Sequence, residues 1–235
     1  MALKRYQKKL NYSYTLGIFP TLELLTHQPD KTIRVLVSSR INSGLGIAKI
    51  KNLCQKNNLP FLTADRQLEK LSPKDNCYCL GVFKKYVPSL ESQKNHLVLV
   101  NPRDAGNLGT ICRTMLGFGW QNLALIKPAV DIFHPKVIRA SMGAIFQMNF
   151  FYFSSFADYQ KKFTHQFYPL MTNAQKKLKD VSLQKPFTLV FGNEGAGLEP
   201  KFSQIGTPLK ISQTEKIDSL NLAIAVGITL YEVSS

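Results

Sequence analysis

From His96 to the end of the chain, short apolar runs of β character alternate with segments of helical period. This alternation constrains the fold more than any other feature. Residues 97–100, 123–126, 150–153, 168–171, 187–191 and 209–211 read as strands, and 107–118, 135–142, 155–163 and 219–233 as helices. Apolar strands separated by helices predict a mainly parallel sheet covered on both faces. Residues before His96 follow a looser pattern: helix around 22–25, strand 32–37, basic amphipathic helix 47–57, strand 60–63, short helix 66–71 and strand 77–83. That pattern predicts a small α/β sandwich. Between the two, residues 84–95 mix charge, Pro88 and serine without apolar period and read as a linker. A chain of 235 residues has room for two cores, so two domains are expected, 1–90 and 91–235.

The net charge of +15 is unevenly placed. Residues 1–96 carry 16 Lys or Arg against 6 Asp or Glu, and residues 97–235 carry 14 against 9. Such an excess predicts a polyanionic partner, RNA or DNA, because neutralised phosphates release condensed counterions. A lysine-rich solvated surface is the plainer alternative. The first ten residues are basic, but the Asn11-Tyr-Ser-Tyr-Thr15 run interrupts any secretory apolar stretch, so a short basic arm and a cytoplasmic location are expected. The longest apolar stretch, 220–231, is too short to span a bilayer. Cys54, Cys77, Cys79 and Cys112 form no Cys-x-x-Cys pair and the four histidines stand apart, which disfavours a disulfide framework and a metal site.

Three stretches place polar or glycine residues at the end of a β-like run or the start of a helix-like run, where backbone amides are free to meet a ligand. They are Asn101-Pro-Arg-Asp-Ala-Gly-Asn-Leu-Gly-Thr-Ile-Cys-Arg113, Phe191-Gly-Asn-Glu-Gly-Ala-Gly-Leu198 and Ile217-Asp-Ser-Leu-Asn-Leu-Ala-Ile-Ala225. In the first, Leu108, Ile111, Cys112, Met115 and Leu116 recur at helical spacing and face a core. Arg113 then falls on another face, one turn after Gly109, whose missing side chain leaves space above the guanidinium. Taken alone, Arg113 reads as a surface arginine and Asn107 as a helix N-cap. In the second, Gly192, Gly195 and Gly197 allow close approach of a ligand. Neither a phosphate-binding P-loop nor a dinucleotide fingerprint is present. In the third, Ser219 and Asn221 begin a helix that is apolar on almost every face and so needs burial by its own sheet or by another subunit.

In this order the three stretches resemble the SpoU (TrmH-like) RNA 2′-O-ribose methyltransferases, a branch of the SPOUT superfamily, over about residues 97–232. The resemblance implies an α/β methyltransferase domain with a trefoil knot, S-adenosylmethionine as cofactor, no metal, a homodimer, and methyl transfer to a ribose 2′-hydroxyl of RNA. It further implies that Asn107, Arg113, Glu194, Ser219 and Asn221 serve catalysis. Gly192, Asn193, Gly197, Ile211 and Leu220 would hold the cofactor, largely through backbone atoms. A guanidinium has no acceptor and stays protonated, so Arg113 is better suited to orient a nucleotide phosphate and stabilise a developing alkoxide than to act as a base. Glu194 can pair with Arg113, face the sulfonium, or be a solvated loop acid. Residues 136–144 also resemble the family, with Arg139 and Ser141 placed either to touch RNA or only to cap and solvate their helix. Gly17, Glu23, Leu25 and Gly81 resemble the small ribosomal-protein-like RNA-binding domain of many members, which points to ribosomal over transfer RNA. Phe19 and Leu80 stand where histidine and glutamine are common, and Ala105 where proline is frequent. The rival readings are a catalytically silent RNA-binding assembly factor and an unrelated nucleotide-binding α/β enzyme.

Overall fold

The computed structural model describes residues 3–41, 44–72 and 77–234. The early elements are β1 (Tyr12–Tyr14), α1 (Ile18–His27), β2 (Thr32–Val37), α2 (Leu45–Lys56), β3 (Phe61–Thr63), α3 (Asp65–Leu71) and β4 (Cys79–Lys84). Then follow β5 (His96–Val100), α4 (Ala105–Gly117), β6 (Asn122–Ile126), α5 (Pro135–Ala140), β7 (Asn149–Phe153), α6 (Phe156–Lys162) and β8 (Gln166–Pro169). The chain closes with β9 (Lys176–Lys177), β10 (Phe187–Phe191), β11 (Leu209–Lys210) and α7 (Leu222–Ser234). These form two compact units: Met1–Tyr86 with Asp131–Gln147, and Val87–Val130 with Met148–Ser235.

The first unit is built on a four-stranded sheet in the order β1-β4-β2-β3, antiparallel except for the parallel β2–β3 pair. Alternate residues of β2 feed two cores. Val35 and Val37 join Leu25, Ile50 and Cys54 from α1 and α2, while Leu36 joins Leu80, Val82, Tyr12 and Tyr14. The basic arm is folded rather than free: Leu3 enters the second of these cores and the Tyr14 hydroxyl donates to the Lys4 carbonyl at 2.5 Å. Lys4, Arg5, Lys8 and Lys9 stay exposed, and Met1 and Ala2 lie outside the described residues. Gly81 is required by packing, since a Cβ there would lie 2.8 Å from Thr15 Oγ1 and 2.9 Å from Leu24 Cδ2.

The helix expected over 135–142 is shorter and packs with this first unit. Ser13 Oγ donates to the Phe133 carbonyl (2.5 Å), Gln28 Nε2 to the Phe146 carbonyl (3.0 Å) and Gln147 Nε2 to the Glu23 carboxylate (2.9 Å). The Phe83 ring meets those of Phe133 and Phe146 edge-on at 5.5 and 5.2 Å.

In the second unit, β7-β6-β5-β10-β8 form one sheet whose neighbours are all parallel. Val98, Val100, Ala124, Ile126 and Val190 face Phe153, Phe156, Tyr159, Phe163 and Phe202. Helix α6 opens on a capping box made by Ser155 and Asp158. Helix α7 packs on α4 and buries Leu222, Ala223, Val226, Thr229 and Leu230, but it leaves Ile224, Ile228 and Tyr231 exposed. The sheet and α4 therefore cover only part of this apolar helix.

The end of the segment read as a linker is a strap along the amino-terminal edge of this sheet. The Glu91 N–H donates to Asn122 Oδ1 (3.0 Å), its carboxylate accepts from Asn149 Nδ2 (2.9 Å), and Asn95 Oδ1 accepts from the Phe187 N–H (3.0 Å). Among the described residues no helix is long and apolar enough to cross a membrane.

Candidate active site

Because β5, β10 and β8 are neighbours in a parallel sheet, the loops after their carboxyl ends converge, the usual position of ligand sites in such sheets. The residues after β10 and β8, together with the chain leading into α7, enclose a cleft of about 430 Å³.

The loop after β10 is shaped by its own polar groups. A Cβ on Gly192 would lie 2.1 Å from the Gly197 carbonyl carbon, so only glycine lets the chain double back here. The turn is closed by Asn193 N–H to Gly197 O (3.2 Å) and Gly197 N–H to Asn193 O (3.0 Å). Asn193 Oδ1 accepts from the Gly195 and Ala196 N–H groups (2.9 and 3.3 Å), and Nδ2 donates to the Asn101 carbonyl at 2.8 Å. The Asn193 side chain is thus spent on the loop, and what it offers a ligand is backbone. A Cβ on Gly197 would meet nothing within 4 Å, so that part of the wall stays open.

Glu194 ties this loop to the start of α4. Its carboxylate accepts from the N–H of Asp104 at 3.0 Å, from that of Arg103 at 3.2 and 3.3 Å, and from Asn193 Nδ2 at 3.3 Å. The pairing with Arg113 left open by the sequence is not formed. A carboxylate at a helix amino terminus is also favoured by the helix dipole.

The capping assignments change. Asp104, not Asn107, is the N-cap of α4, accepting from the Asn107 N–H at 2.7 Å. Asn107 Oδ1 instead accepts from Asn221 Nδ2 at 3.1 Å, while Asn221 Oδ1 accepts from the Ala223 and Ile224 N–H groups (2.9 and 3.3 Å) and caps α7. The two asparagines therefore lock the starts of α4 and α7 together. Ser219, two residues earlier, is released from capping and lies in the cleft wall.

Gly192, Asn193, Glu194, Gly197, Ile211, Ser219 and Leu220 all line the one cleft. Asn107, Asn221 and Arg113 are not part of the cleft wall; Arg113 is exposed on α4 and makes no hydrogen bond or ion pair among the described residues. Gly109, expected to leave space beside it, is itself buried. Ser141, one of two residues considered for RNA contact, is 1% exposed and bonded to the Ile138 carbonyl at 2.9 Å, so only Arg139 of that pair is exposed. Cys112 is fully enclosed, and burial pushes its thiol up to about 12, which leaves it protonated and inert.

Sequence reasoning missed Leu170, Met171, Thr172 and Asn173, which follow β8 and line the cleft, and also Gln213 and Asp218. The signal for the first four was available, since they leave the carboxyl end of a strand in a parallel sheet. The charge of the wall is also informative. In a chain of net charge +15 no Lys, Arg or His among the described residues lines the cleft, whereas Glu194 and Asp218 do. Such a wall repels phosphate and suits a ligand that carries positive charge between apolar groups such as Leu170, Ile211 and Leu222. Among the described residues, no group of three His, Cys, Asp or Glu could hold a metal ion.

A parallel α/β sheet with a glycine-rich, acid-lined cleft at its carboxyl ends defines a class of ligand-binding domain. Comparison with known proteins narrows it. The SpoU rRNA Methylase family model matches residues 94–231, and the chain belongs to that family. It is 30% identical over 209 residues to an uncharacterized tRNA/rRNA methyltransferase of Archaeoglobus fulgidus, covering 87% of this chain and 91% of that one. A second uncharacterized tRNA/rRNA methyltransferase, from Synechocystis, is 36% identical over 140 residues, 58% of this chain; the chain spans only 51% of that relative. The 23S rRNA (guanosine(2553)-2′-O)-methyltransferase of Bacillus subtilis is 26% identical over 147 residues, 61% of this chain and 59% of its own. The crystal structure of an AdoMet-bound rRNA methyltransferase from Sinorhizobium meliloti shares the fold, with a TM-score of 0.79 at 24% identity over 95% of this chain and 87% of that one. The family read from the three motifs is thus borne out.

Proposed function

We propose that this protein is an S-adenosylmethionine-dependent RNA 2′-O-ribose methyltransferase acting on ribosomal RNA in the cytoplasm. The observation that carries the reading is the cleft, lined by the glycine loop after β10, by apolar side chains and by the carboxylates of Glu194 and Asp218, with no basic side chain among the described residues of its wall, in a chain of the SpoU family. Those residues fit the cofactor: a sulfonium suits the acidic wall, and the glycine loop leaves backbone amides and carbonyls for the rest. When bound, S-adenosylmethionine supplies an electrophilic methyl group. Gly192, Asn193, Gly197, Ile211 and Leu220 hold it there, needing no metal. Glu194 keeps the amides of Arg103 and Asp104, and hence the start of α4, against the cleft. The Asn107–Asn221 bond fixes α7 to the same point. Arg113 orients the target nucleotide and stabilises the developing alkoxide, while the proton passes to phosphate or water. The 2′-O assignment and the ribosomal substrate are supported by the activity of the Bacillus relative.

Arg113 lies outside the cleft of its own chain, and α7 leaves Ile224, Ile228 and Tyr231 uncovered, with Phe118 edge-on to Tyr231 at 6.4 Å. Both features support a homodimer in which this strip is buried and a second copy supplies Arg113. The first unit, with its exposed lysines, serves as the RNA-anchoring domain and the second as the knotted methyltransferase domain, so that 131–147, expected within 91–235, goes with the first. Mass mapping of 2′-O-methylated nucleotides in ribosomal RNA, with and without the protein, tests the function. One site should disappear when the protein is removed and return with the unaltered chain but not with Arg113→Ala. An identical methylation map in all three cases would leave only a silent RNA-binding role.

A further inference from the structure

We infer that Asp218 makes the cleft select the positively charged methyl donor over its neutral demethylated product. The inference rests on the proposed function and assigns a residue to a task that none of the three motifs required. Two carboxylates line the cleft, and they differ in what they already do. Both oxygens of Glu194 accept backbone or amide hydrogens. The Asp218 carboxylate makes no hydrogen bond or ion pair among the described residues, although its backbone is held, its carbonyl accepting from Gln213 Nε2 at 3.4 Å. Among the described residues of the wall, Asp218 is therefore the carboxylate whose charge is not committed to the protein, and no cation there offsets it.

The donor carries a sulfonium and an ammonium against one carboxylate, a net charge of +1. On transfer the methyl–sulfur bond breaks with its electron pair going to sulfur, the methyl group bonds to the ribose oxygen, and the hydroxyl proton leaves. The product left in the cleft is a neutral thioether with a net charge of zero. An uncommitted carboxylate thus attracts the ligand that enters more than the ligand that must leave, and exchange of product for donor is favoured. Asp218 is exposed to solvent, which moderates the attraction. The expected preference is about three- to tenfold in affinity.

Calorimetric titration of the full-length chain with S-adenosylmethionine and with S-adenosylhomocysteine, before and after Asp218→Asn, tests this. The substitution should weaken the donor about three- to tenfold, leave the product within about twofold, and remove the salt dependence of the difference. Sinefungin, which has an amine in place of the sulfonium, should follow the donor. Equal weakening of both ligands would mean that Asp218 shapes the cleft without selecting charge. No change in either would mean that the carboxylate does not sense the ligand. Both results overturn the inference and leave the proposed function standing. If the unaltered, folded chain binds none of these compounds, the proposed function falls with it. Asp218→Glu, which keeps the charge, should retain the preference.

Discussion

At the amino-terminal end of the five-stranded sheet, polar side chains are spent on one another inside the protein, whereas at the carboxyl end they are spent on shaping backbone around a cleft. In the first region His96 Nδ1 meets the Tyr159 hydroxyl at 2.8 Å, Tyr159 meets Thr188 at 2.8 Å, and Thr188 meets His165 Nδ1 at 2.9 Å. The two Nε2 atoms reach the carbonyls of Glu91 and Ser92 at 2.9 and 2.8 Å. All four side chains are buried, and the chain closes on the strap just before β5. In the second region Asn193, Glu194, Asp104, Asn107 and Asn221 hold loops and helix starts, leaving glycines and one uncommitted carboxylate to face the cleft. The same strands feed both ends. A polar cluster that satisfies itself becomes architecture, and one that satisfies backbone leaves surface for a ligand.

Acidification separates the two regions most strongly. Burial pushes the His96 imidazole down from 6.5 to about 4. A histidine depressed in the folded state gives its full stability above its ordinary value and loses it as the pH falls through the window from 6.5 to about 4, because the unfolded chain takes up the proton first. The loss from this one group is roughly 3 kcal/mol at most. Urea unfolding of the wild type at pH 7 and pH 4.5 should show a steeper fall than His96→Gln; equal slopes would remove the histidine from the account.

Next in size is Arg113→Ala, which should cut methyl transfer by about 10²-fold or more with cofactor affinity nearly unchanged. Lysine should not rescue it, since a point charge cannot replace the planar fork. Single-turnover assays alongside calorimetry decide it, and near-normal turnover by the alanine variant would deny Arg113 its role. Gly192→Ala follows. Its Cβ cannot coexist with the Gly197 backbone at 2.1 Å, so the loop must move, lowering donor affinity about tenfold or more while the buried amino-terminal cluster persists. Unchanged affinity would show that the glycine loop does not form the wall. The smallest effect belongs to Asp104→Ala, which removes the α4 cap and should lower stability by about 1 kcal/mol, read from the urea midpoint.

Much of the second unit was legible because a buried strand in a parallel sheet is a bounded apolar run; 187–191 came out with both ends in place. The strand at 168–171 is instead Gln166–Pro169, since pairing with β10 rather than hydropathy sets its register. Tyr12–Tyr14 was missed, as three residues carry no readable period. The strap over 91–95 was unreadable for another reason: its order comes from hydrogen bonds to the starts of distant strands. Periodicity shows which face of 135–140 is apolar but not which core receives it. At the site, glycines announced the loop after β10, whereas residues 170–173 reach the cleft because β8 pairs with β10, and Asp218, although inside the third motif, stands out only where the fold brings it into the cleft wall. The separation of Arg113 from the cleft is likewise a property of three dimensions.

The acid-lined cleft at the carboxyl end of the sheet is read as the seat of a positively charged methyl donor. Titration of the full chain with S-adenosylmethionine in the presence of a chelator tests it most directly. Saturable binding at one site per chain, with no requirement for metal, is expected. A folded protein that gives no heat of binding with S-adenosylmethionine or with S-adenosylhomocysteine would contradict it.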